Sequence, residues 1–145
     1  MRAEDLRIGN WLQSKIRYCN YGCDVHAGDS FQVSQVHKDY VDSWSDMGAS
    51  GKLKIVHVEP IPLTEEWLDK FGLIVEGKVW NFHIEKDMPT HYYLYKIKGF
   101  RGFMFAYEDG NRNFHTLSDL LYVHQLQNLY FALTGEELTI KDDEK

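Results

Sequence analysis

Polar and apolar positions alternate along the first half of the chain with the period of β-strands. Leu6–Ser14, LRIGNWLQS, and Ser30–Trp44, SFQVSQVHKDYVDSW, both carry this pattern. In the second stretch Phe31, Val33 and Gln35 share one phase, Val36 starts a new one, and Tyr40, Asp42 and Trp44 alternate with Val41 and Ser43. Lys52–Val58 sets Leu53, Ile55 and His57 on one face. The Gly- and Ser-containing loops CNYGCDVHAGDS and SDMGASG separate these strands, which suit a small, bent sheet or an SH3-like barrel.

The period changes at EPIPLTEEWLDKFG. Pro60 and Pro62 hold the chain out of a helix up to Leu63, Thr64 caps, and Glu65 and Glu66 favour the positive end of the helix dipole. Gly72 supplies a left-handed stop, and Leu63 and Leu68 have the spacing of a hydrophobic staple. The expectation is a helix over 64–71. Lys78–Lys86, His91–Gly99 and Phe100–Gly110 then read as an antiparallel meander, rich in aromatic and β-branched residues.

A second helix is expected from Ser118 to Leu133, capped by Ser118 or Thr116 and ended by Gly135. Leu120 to Gly135 contains no charge, although a surface helix normally carries a charged face. Leu126 and Leu133 lie on the face expected in the core. His124, Gln127, Asn128 and Phe131 lie on or beside the opposite one, covered either by a second layer of the same chain or by a partner. The class is therefore α+β and antiparallel, with one short and one long helix. A single domain over 1–140 is expected, in a β-rich part (1–62) and a helix–meander–helix part (63–140), followed by a disordered tail at 141–145.

Composition narrows the functional classes. Hydrophobic residues at 43% and charged residues at 26% are those of a globular chain, and the net charge of −6 disfavours phosphate binding by the surface at large. Residues 1–15 lack the apolar core of a signal peptide, and the long uncharged run holds too many amides for a bilayer span. The expectation is a cytoplasmic protein with no membrane contact, two reduced cysteines and no cofactor.

Three motifs, DLRIGNWL, EPIPLTEEWLDKFG and YVHQLQNLYFALTGEEL, occur in this order over about a third of the chain. With them the chain resembles a family of small uncharacterised proteins of gut-commensal bacteria and of their phages and other mobile elements. The resemblance implies a bacterial, cytoplasmic setting and a mobile-element origin, and it implies no catalytic residue.

Candidate chemistry is sparse. Cys19, Cys23 and His26, with His37 further on, make one loose ligand group without the second short-spaced pair that zinc normally takes. His57 and His83 fall within strands, and His91 and His115 near turns, with no strand-to-helix elbow to present a nucleophile. Arg101, Gly102, Phe103 and Phe105 partly match an RNA-binding strand signature, but Met104 and Glu108 break it. Lys96, Lys98, Arg101 and Arg112 nevertheless make this meander the most basic part of the chain. Glu136 and Glu137 follow a helix end where negative charge is mildly unfavourable. The pattern points to a non-catalytic binding or assembly module, self-associating or docking a protein partner through His124, Gln127, Asn128 and Phe131. The alternative is nucleic-acid binding by the basic meander.

Overall fold

The computed structural model describes residues 1–16, 18–20, 23–25, 27–44, 51–76, 79–82 and 91–141. The chain divides into two compact units, Met1–Ile61 and Pro62–Lys145, so the boundary falls within the proline pair that ends the β-rich half.

The first unit is an antiparallel sheet in the order β6-β5-β4-β1-β7, made of β1 (Trp11–Ser14), β4 (Ser30–Val36), β5 (Tyr40–Trp44), β6 (Gly51–Lys54) and β7 (Val58–Pro60). A two-stranded hairpin, β2 (Tyr18–Asn20) with β3 (Cys23–Val25), is inserted after β1. The first strand starts at Trp11 and not at Leu6, because the backbone of RIGN turns. The Asn10 Oδ1 accepts the Arg7 amide at 2.7 Å, and the Gly9 amide donates to the Val33 carbonyl at 2.7 Å. The phase change after Val33 is a break in the β4–β5 register between Val33 and Gln35. It lets Phe31, Val33 and Val41 bury with Leu6, Leu12, Leu53 and Val58, while Val36 packs at the edge of this core.

The expected strand Lys52–Val58 is interrupted. Ile55–His57 form a single 3-10 turn with Val56 69% exposed, and His57 belongs to that turn rather than to a strand face. The turn carries the chain from β6 to β7, the two edges of the sheet. A flat five-stranded sheet would set its edges ~19 Å apart, at ~4.8 Å per strand. The four steps from Lys54 to Val58 cannot span more than about 14 Å. The sheet is therefore strongly curled, yet among the described residues β6 and β7 do not pair and the sheet does not close into an SH3-like barrel.

The second unit is α+β. Its sheet runs β12-β11-β10-β9-β8, from β8 (Ile74–Glu76), β9 (Val79–Phe82), β10 (His91–Tyr95), β11 (Phe103–Glu108) and β12 (Phe114–Leu120). Helix α1 (Glu65–Lys70) follows the expectation closely. Thr64 is its N-cap, although through its carbonyl and not its hydroxyl, and Gly72 has φ 72°. Leu63 and Leu68 are both buried, at 5% and 0% exposure, as a staple requires. The long helix, α2 (Val123–Thr134), begins later than expected. Thr116 and Ser118 do not cap it, because they lie in β12 and pair with β11. Tyr122 is the cap residue. The Gln125 Oε1 reaches back to the amides of Leu121 and Tyr122 at 2.9 and 3.1 Å, which satisfies donors at the helix entry. Leu63 donates to the Leu121 carbonyl at 2.9 Å, so the segment before α1 is tied to the segment before α2.

Candidate functional site

The uncharged helix shows why its second face needs no charge. Leu126 is fully buried on one side, and on the other His124 is 4% and Gln127 1% exposed. These two are not surface groups. The segment after Gly135 folds back, burying Leu138 and placing its carbonyl 3.5 Å from the Gln127 Nε2, which donates to it. The Lys141 amide donates to the Lys70 carbonyl at 2.8 Å and holds the segment in place. Asn128, Phe131 and Leu133 are half-buried. A segment of the same chain thus covers Gln127, at the centre of the face for which a second layer or a partner was expected. Residue 141 belongs to this layer, while 142–145 of the expected tail lie outside the described residues.

The two glutamates beyond the helix also find a local setting. The Thr134 Oγ1 donates to the Tyr130 carbonyl at 2.8 Å and accepts the Glu136 amide at 3.0 Å, so the chain turns directly after Gly135. Glu136 and Glu137 are exposed on the wall of a cleft of about 290 Å³, with Phe71, Asn81, Tyr130 and Leu138. Solvent screens such charges from the helix end.

The basic meander does not form one patch. Lys96, Lys98 and Arg101 are exposed in the β10–β11 connection, whereas Arg112 lies in the β11–β12 turn at the opposite end of β11. Six residues of strand separate those ends by ~20 Å. Lys96 is 3.8 Å from the Glu65 carboxylate, which offsets part of its charge. Phe103 and Phe105, the aromatics of the RNA-like signature, are each 1% exposed and offer no face for base stacking. The glycine of the same signature is explained by packing. Gly102 has φ 85°, and a Cβ there would overlap the carbonyl oxygen of Leu120.

Two histidine–carboxylate pairs were not legible in the sequence, because their partners meet only across turns. The His37 Nε2 is 3.3 Å from the Asp42 Oδ2, and its ring stacks on Tyr40 with centroids 4.0 Å apart. His37 borders an open cleft with Arg2, Lys54 and Ile55. The His115 Nε2 is 3.0 Å from the Asp109 Oδ2, and its ring stacks on Tyr107 at 4.8 Å. The His115 hydrogen bond, then the amides of Asn113 and Asn111, hold the Asp109 carboxyl well below the usual carboxylate range. Among the described residues no Ser, Thr or Cys hydrogen-bonds to either imidazole. Cys19 and Cys23 lie in β2 and β3, but their side chains, together with His26 and His83, fall outside what is described. Among the described residues, no group of three or more His, Cys, Asp or Glu is placed to hold a metal. No described helix is long and apolar enough to cross a membrane.

One surface was missed by the sequence reading. Strand β12 is the sheet edge, and among the described residues it pairs only with β11. Its first six residues, Phe114 to Asp119, are all exposed, with Phe114 at 61% and Leu117 at 55%. The signal was present as NFHTLSDL, which alternates poorly because neither face of this strand is covered. Searched against known families and curated proteins, the chain matches no family model and no curated protein.

Proposed function

We propose that the protein is a non-catalytic binding or assembly module that acts through protein–protein contact, its second unit accepting a partner strand along β12. The observation that carries this is the edge itself. A seven-residue strand leaves its outer row of backbone donors and acceptors without a strand neighbour among the described residues, and it exposes two large apolar side chains. Proteins ordinarily shield such an edge, and here a bulge at Leu117, where the β11 register shifts between Phe105 and Ala106, interrupts a main-chain ladder that is otherwise open to a strand that fits. Nucleic-acid binding is the weaker reading, because the four cations are split between two ends of the meander and Phe103 and Phe105, the aromatics of the RNA-like signature, are inside.

Selection of extended peptides from a displayed library against the whole protein tests this reading. The expected result is a set of strand-forming ligands that bind with little dependence on salt and are lost in a Phe114→Lys/Leu117→Lys variant. Tight binding of single-stranded oligonucleotides that weakens steeply with salt, with no peptide ligand, would overturn it. A bacterial, cytoplasmic, mobile-element setting belongs to the same reading and rests on the three sequence motifs. Gene neighbourhood tests it.

A further inference from the structure

We draw no further inference here: the strongest candidate, the exposed edge strand β12 with Phe114 and Leu117, belongs to the site already described, and nothing in the structure shows which strand covers it.

Discussion

Replacing Gly102 by alanine isolates a contact that the sequence disguises as a ligand-binding glycine. The backbone at this position has φ 85°, where a non-glycine residue costs roughly 1–2 kcal/mol. The new Cβ would also overlap the Leu120 carbonyl oxygen. A backbone atom cannot rotate away, so the Phe103–Leu120 end of the β11–β12 ladder must shift, at a further ~1–3 kcal/mol. Restricting the unfolded chain returns ~0.4–1 kcal/mol. The net loss is about 1–5 kcal/mol, which for a unit of this size lowers the melting temperature by roughly 5–35 °C. Thermal unfolding followed by circular dichroism measures it. Gly110→Ala is the control, since a Cβ there meets nothing within 4 Å. If Gly102→Ala melted within a degree or two of that control, the close approach to Leu120 would be refuted.

Other consequences are as direct. Leu126→Ala should cost about 2–5 kcal/mol in chemical denaturation, because Leu126 is fully buried in α2; a loss under 1 kcal/mol would mean that the helix is not seated as described. Gln127→Ala should destabilise by about 1–3 kcal/mol, since it leaves the Leu138 carbonyl without its donor; the shift of the denaturation midpoint reports it. The Asp109 carboxyl is held below its ordinary value of 3.8, so its contribution is full above that value and is lost as the pH falls below it. The protection of the 109–113 amides, taken relative to their intrinsic exchange, should therefore fall selectively in acid, and Asp109→Asn should abolish that fall.

The class, the capped short helix and the meander were legible because each rests on a local signal: proline before Thr64, glycine at 72, and aromatic alternation from 91 to 108. The start of the long helix was not legible. NFHTLSDL contains two good capping residues, and only pairing with β11 makes it a strand. For the bare face of α2 the sequence left open whether a second layer of the chain or a partner covers it. Leu138, from the part expected to be folded, is buried there, and its carbonyl accepts the Gln127 amide. The strand expected through His57 failed for a similar reason, since a single turn must carry the chain from one edge of a curled sheet to the other. Histidine pairs such as His115 with Asp109 depend on turn geometry that no periodicity reports.

Residue-resolved amide exchange of β12 tests the central claim most directly, first in dilute protein and then with a selected strand-forming peptide. Alternate amides of an edge strand point away from β11, here on each side of the bulge at Leu117. The account predicts that in dilute protein those alternate amides from Phe114 to Asp119 exchange freely, and that they become protected when the peptide binds. Uniformly slow exchange along β12 in the dilute, unbound protein would mean that the edge is already covered, and would contradict the account.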